Sequence, residues 1–154
     1  MFNRRSFFAS MSCLAASSLL PRTANAAPAM IVHRDPSCEC CEEWVQHIRA
    51  AGIEASIVNE ANMNTVKTRL GVPDSLVSCH TAEIGGYVVE GHVPAKAIMQ
   101  LFRDKPDATG LAAPGMPIGS PGMESGGANE VFDVMLFGRT GVSLYGRYRG
   151  GEPA

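Results

Sequence analysis

Apolar residues recur along the chain at two periods, and the order in which the periods alternate sets the expected fold. Ala29 to His33 is a short apolar run bounded by Asp35-Pro36, which predicts a buried strand. Trp44, Val45, Ile48 and Ala51 keep the spacing of one helical face. Asp35 or Ser37 can cap that helix, Glu42 and Glu43 suit its first turn, and Gly52 stops it. Ile53 to Val58 is β-branched and partly alternating, a second strand. Asn62 caps a second helix through Met63, Val66 and Leu70, ended by Gly71 and Pro73. Ala82 to Ile84 and Tyr87 to Val89 are joined at Gly85-Gly86, a hairpin signal. Pro94 opens a third helix with the stripe Ala97, Ile98, Leu101 and Phe102, and Lys105-Pro106 closes it.

This order, β-α-β-α-β-β-α over residues 27–105, is α/β and thioredoxin-like. Its start requires parallel strands with a right-handed crossover. The pattern changes at Pro106. Leu111 to Asn129 is rich in Gly, Pro, Ser and Met, repeats Pro114-Gly115-Met116 as Pro121-Gly122-Met123, and reads as loop with neither helix nor central strand. Val131 to Phe137 and Val142 to Tyr148 flank a turn at Gly138 to Gly141. Residues 106–154 are therefore expected to be a C-terminal extension, a Met/Gly/Pro loop plus a β-hairpin.

The first 26 residues follow another logic. Asn3-Arg4-Arg5-Ser6-Phe7-Phe8 resembles a twin-arginine motif, Phe7 to Leu20 is apolar, and Ala24-Asn25-Ala26 is a small-residue cleavage site. Residues 1–26 are expected to be an export signal, too short in their apolar part to span a bilayer. Cleavage would place the chain in the periplasm with no stable membrane insertion. It would also remove Arg4, Arg5 and Arg22, leaving an acidic chain without basic runs and no case for nucleic-acid binding.

The densest chemistry is Asp35-Pro36-Ser37-Cys38-Glu39-Cys40-Cys41-Glu42-Glu43-Trp44. Cys38 and Cys41 make a C-x-x-C pair at the start of a helix, where dithiol exchange is one reading. There the dipole and the free N–H groups favour thiolate. Cys40, the third thiol, favours soft metal. A structural disulfide, allowed in an oxidising compartment, carries less weight because a bridge within one turn closes almost no loop. Cys79, in Ser78-Cys79-His80-Thr81, is expected to face this turn from the loop before the third strand. His80 and His92 neighbour the site, His33 less closely, and His47 is expected to be solvated. Met63, Met99 and Met135 read as packing. Met116 and Met123 lie in the polar loop, and their thioethers suit Cu(I). Zinc and an Fe–S cluster fit the donor set less well, because zinc sites rarely recruit Met and the spacing matches no familiar cluster run.

Cys38-Glu39-Cys40-Cys41, Ser78-Cys79-His80-Thr81, Gly91-His92-Val93-Pro94-Ala95 and the Gly115-Met116-Pro117 to Pro121-Gly122-Met123-Glu124 loop, in this order, resemble the CopG-type periplasmic copper-resistance proteins with their C-x-C-C motif. The resemblance implies a thioredoxin-like domain whose extension contributes to metal binding. It implies several copper ions per chain, bridged by Cys38, Cys40, Cys41 and Cys79, and interconversion of Cu(I) and Cu(II) in copper detoxification. His80, His92, Met116 and Met123 are added as metal ligands from position alone, and Cys38 and Cys41 as the redox pair. Candidate partners are periplasmic copper-export or electron-transfer proteins. The competing functions are a thiol–disulfide oxidoreductase and a copper chaperone or buffer without redox turnover.

Overall fold

The computed structural model describes residues 28–124 and 126–154. The expected export signal, residues 1–26, lies outside them. Among the described residues, three α-helices and eight strands make a mixed α/β fold on one sheet. In chain order these are β1 (Met30–Arg34), α1 (Glu39–Ala50), β2 (Ala55–Asn59), α2 (Met63–Arg69), β3 (His80–Ile84), β4 (Tyr87–Glu90), α3 (Ala95–Asp104), β5 (Gly110–Ala112), β6 (Val131–Gly138), β7 (Gly141–Arg149) and β8 (Glu152–Pro153). A short 3-10 turn, Asp74–Leu76, lies between α2 and β3.

The strand order across the sheet is β2-β1-β3-β4-β5-β6-β7-β8. β1 and β2 are parallel, as a β-α-β crossover demands, and β1–β3 and β3–β4 are antiparallel. Trp44, Val45 and Ile48 of α1 and Ala97, Ile98 and Leu101 of α3 bury one face of the sheet, against Met30, Val32, Ala82, Ile84, Val89 and Leu111. On the opposite face, Val72 and Leu76 cover Val88, Ala112 and Phe137. Strands buried on both faces read as continuous apolar runs, which is why Val88-Val89 sends one side chain to each core.

The irregular stretch expected from Leu111 begins instead with strand. Leu111 and Ala112 belong to β5, which pairs parallel with β4 and antiparallel with β6 and so sits inside the sheet. Three residues are too few to show an alternation in sequence. β5 also depends on Gly110, where a Cβ would lie 1.8 Å from the Val88 carbonyl oxygen. Ordinary alternation along β6 sends Val134 to the first core and Met135 to the second, and the register shift opposite them leaves Tyr145 of β7 as the extra residue.

Two helix starts differ from expectation and one agrees. Cys38 itself, extended at φ −82°, is the N-cap of α1, while Asp35 Oδ1 accepts the Ser37 N–H at 2.8 Å and stiffens the preceding turn. His47 is half-buried, and its Nε2 accepts the Ala95 N–H at 3.1 Å, so it caps α3 from outside. Asn62 does cap α2, its Oδ1 accepting from Asn64 and Thr65 N–H at 3.0 and 3.3 Å. Asn62→Ala should cost about 1 kcal/mol, the usual worth of such a cap, with the urea midpoint as the readout. An unchanged midpoint would mean that α2 is held by its packing alone.

Candidate metal centre

Strand register brings three separate segments to one point. Arg34, the last residue of β1, pairs with His80, the first of β3. The cysteine turn after β1 therefore lies beside Cys79, just before β3. Thr81 pairs with Glu90 across β3–β4, so His92, two residues past β4, lies beside Cys79 as well.

The side chains converge accordingly. Cys38 Sγ lies 3.6 Å from Cys40 Sγ, and Cys40 Sγ 3.9 Å from Cys79 Sγ. Cys79 Sγ is 3.2 Å from His80 Nδ1 and 3.1 Å from His92 Nε2. Two groups result, Cys38-Cys40-Cys41-Cys79 and Cys79-His80-His92, each with donor atoms within 4.8 Å of one another. Cys79 belongs to both. Cys38 and Cys41 are joined by a disulfide, although a bridge closing one turn had little to recommend it in the sequence. The helical turn places their Cα atoms 5.4 Å apart, inside the usual range for a bridge, so the short loop is no obstacle. Cys40 and Cys79 are free thiols.

The histidines are set by their other nitrogens. His92 Nδ1 faces the Pro121 carbonyl oxygen at 2.7 Å. A carbonyl only accepts, so Nδ1 carries the proton and Nε2 presents a lone pair towards Cys79. Burial holds His92 below the ordinary histidine range, and it holds His80 well below, helped by His92 and Lys67. Both rings are thus neutral, the form that ligates metal. The His80 ring packs tilted at 42° against Trp44, centroids 4.3 Å apart, and the Trp44 Nε1–H donates to the Val93 carbonyl at 2.9 Å. Among the described residues His80 Nε2 is buried without a hydrogen-bond partner. Burial, with Cys40 as a lesser cause, pushes the Cys79 thiol up to about 12. A metal at Cys79 must therefore displace a proton.

His33 stands apart. Its ring nitrogens meet Glu60 at 2.7 Å and Glu83 at 2.9 Å, so it joins β1 to its neighbours and does not face the thiols. Glu42 is engaged by Gln46 at 3.1 Å and Arg34 at 3.5 Å.

The methionine loop packs on the site through its backbone. Ser120 and Pro121 are buried, and Gly122, at φ +84°, rests on α1 so closely that a Cβ would lie 2.7 Å from Trp44 N and 2.8 Å from Cys40 O. Gly115 N–H donates to the Val77 carbonyl at 3.1 Å, and its carbonyl accepts from Ser78 Oγ. Met123 is half-buried next to Gly122, and Met116 is 56% exposed beside Gly115. The loop thus seats the Gly122 backbone on the first turns of α1 and leaves the Met116 side chain largely in solvent.

Sequence reasoning missed a buried polar group below this site. Glu90, fully buried, accepts the Ser78 N–H at 2.6 Å, the Thr81 hydroxyl at 2.6 Å and Lys67 Nζ at 2.5 Å. In sequence, Lys67 is an ordinary helix charge with nothing around it to mark it as buried. The only available signal for Glu90 was a carboxylate directly following Tyr87-Val88-Val89.

A family profile described as "Protein of unknown function, DUF411" matches residues 76–123, the span from the Cys79 loop to Met123. No curated protein matches. Two solved structures are similar over nearly their whole length. One, "Copper resistance protein copG", form 2, is 48% identical, with 79% of this chain and 98% of that chain covered and a TM-score of 0.75. Form 1 is 47% identical over 80% of this chain and 99% of that one, with the same TM-score.

Proposed function

Since the chain belongs to the CopG family of copper resistance proteins, we propose that it binds copper at the Cys38–Cys41 turn and the Cys79 loop, in the periplasm, after loss of residues 1–26. The observation that carries this reading is the position of Cys79, one thiol shared by a cysteine group and a histidine group. Sulfur and neutral imidazole together suit copper. Among the described residues the buried His80 Nε2 has no hydrogen-bond partner, which supports a ring kept for a ligand. Cys38, Cys40, Cys41 and Cys79 are the proposed thiolate ligands once the disulfide is reduced. His92 Nε2 and His80 stand next to them, and Met123 and then Met116 are the outermost donors. Three thiols in one turn favour bridging, hence several ions per chain.

The arrangement of β1 to β4 supports the thioredoxin-like reading: parallel β1–β2, antiparallel β3–β4, and a helix opening at the cysteine turn. The Cys38–Cys41 disulfide supports a redox role. Its reduction takes up two electrons and two protons and yields two thiols, and two Cu(I) ions release two electrons on becoming Cu(II). The protein would thus interconvert the two copper states, with copper as substrate and copper-export or electron-transfer proteins as partners. No helix among the described residues is long and apolar enough to cross a membrane. The same disulfide also favours a second reading, thiol–disulfide exchange with Cys38 as nucleophile and Cys41 as resolving thiol.

The reduced protein, titrated with Cu(I) without oxygen, should take up more than one copper per chain, with sulfur-bridged copper–copper distances in X-ray absorption. Saturation at one ion without such distances would remove the multinuclear site. Reoxidation of the loaded protein should change its optical spectrum reversibly. An unchanged spectrum would leave a buffer or chaperone, and disulfide exchange without copper uptake would leave the oxidoreductase.

A further inference from the structure

We propose that Glu90 and Lys67 are positioning residues that hold the Cys79 loop against the cysteine turn. The inference rests on the reading of this centre as a copper site. Glu90 ends β4, and its carboxylate turns inward to the β3 side. There it takes hydrogen bonds from both ends of Ser78-Cys79-His80-Thr81, at Ser78 N–H (2.6 Å) and at the Thr81 hydroxyl (2.6 Å). Its backbone continues into Gly91-His92, and Gly91 N–H donates to the His80 carbonyl at 3.0 Å. One residue therefore sets the relative positions of Cys79, His80 and His92, without touching any of the thiols.

A carboxylate with no exposed surface needs a counter-charge. Lys67 supplies it from α2, 5% exposed, with Nζ 2.5 Å from Glu90 Oε1 and 3.0 Å from Thr81 Oγ1. Lys67, Thr81 and Glu90 form a closed triangle. Packing alone gives no reason for it, because an apolar pair of similar volume would fill the same space at no cost in charge burial. What an apolar pair cannot do is accept the Ser78 N–H. That N–H fixes the chain one residue before Cys79, and Cys79 is the thiol common to both donor groups.

The test uses the full mature chain, reduced, as wild type, Glu90→Leu, and Glu90→Leu combined with Lys67→Met. In the metal-free wild type the Ser78 amide should exchange slowly with solvent hydrogen, and in both variants quickly. With Cu(I), both variants should bind about tenfold or more weakly, the usual cost of losing the partner that orients a ligand, and X-ray absorption should show fewer copper–sulfur contacts. Glu90→Leu, which leaves Lys67 buried without its counter-charge, should lower the melting temperature, and the apolar pair should raise it again towards wild type while copper affinity stays low. That split separates positioning from a merely structural role. Wild-type affinity and spectrum in the apolar pair, or affinity recovering in step with melting temperature, would overturn the proposal, as would slow Ser78 exchange in the variants. A wild type that takes up no copper would instead overturn the copper reading, while the Ser78 exchange still decides whether the clamp exists.

Discussion

Replacing Cys79 by serine should empty the centre nearly as completely as a change in the cysteine turn itself. Cys79 is the residue through which the two donor groups meet: Cys40 is 3.9 Å away on one side, and His80 and His92 lie at 3.2 and 3.1 Å on the other. A hydroxyl is a hard, weakly ligating group, and Cu(I) selects sulfur. Loss of a partner that merely orients a ligand costs about 10–100-fold in metal affinity, so loss of the proposed shared ligand should exceed that. The fold should survive, because Cys79 is only half-buried in a loop fastened by its neighbours. Copper-to-protein ratios after dialysis, with circular dichroism as the control for folding, measure this. Retention of the full copper load with an unchanged count of sulfur neighbours would show that Cys79 is a bystander.

Gly122→Ala should lift the methionine loop from α1. The added Cβ would lie 2.7 Å from Trp44 N and 2.8 Å from Cys40 O, and both are backbone atoms of a helix that cannot move aside. Lifting this residue also pulls on Pro121, whose carbonyl holds the His92 tautomer. Gly115→Ala provides the comparison. It too has a positive φ, +69°, but its Cβ would meet nothing within 4 Å. Both variants carry the left-handed strain of about 1–2 kcal/mol, and only Gly122→Ala adds overpacking, typically about 1–3 kcal/mol more. Urea denaturation of the metal-free proteins should rank them in that order, and copper retention should fall only in Gly122→Ala. Equal losses in the two variants would mean that the loop's seat on the helix has no bearing on the site.

How far the molecule was legible in its sequence depends on what each residue had to signal. Helical stripes such as Ala97-Ile98-Leu101 and turn residues such as Gly85-Gly86 act through neighbours in sequence, and their elements were readable to within a few residues. The C-x-C-C turn and Cys79 stood out because clustered thiols have few other uses. β5 did not, being three residues long and admitted to the sheet by the bare backbone of Gly110. Glu90 and Lys67 did not because each, taken singly, is an ordinary surface residue type. Their meaning lies in a contact between α2 and β4 that no local pattern encodes. His47 misled for the same reason, since its partner is the start of a helix far along the chain.

The strand order has a consequence for assembly. From β4 onward, each strand joins the edge left by the one before it, while β3 pairs with β1 and leaves β2 at the far edge. Such a sheet can grow from its N-terminal portion outward in the order the chain is made. The thiols and imidazoles at the centre are all supplied by residue 92. The segment that covers them runs between β5 and β6, whose pairing brings its two ends together. In order of synthesis the topology puts the whole donor set ahead of the segment that encloses it, so the cysteine turn can be complete before it is covered.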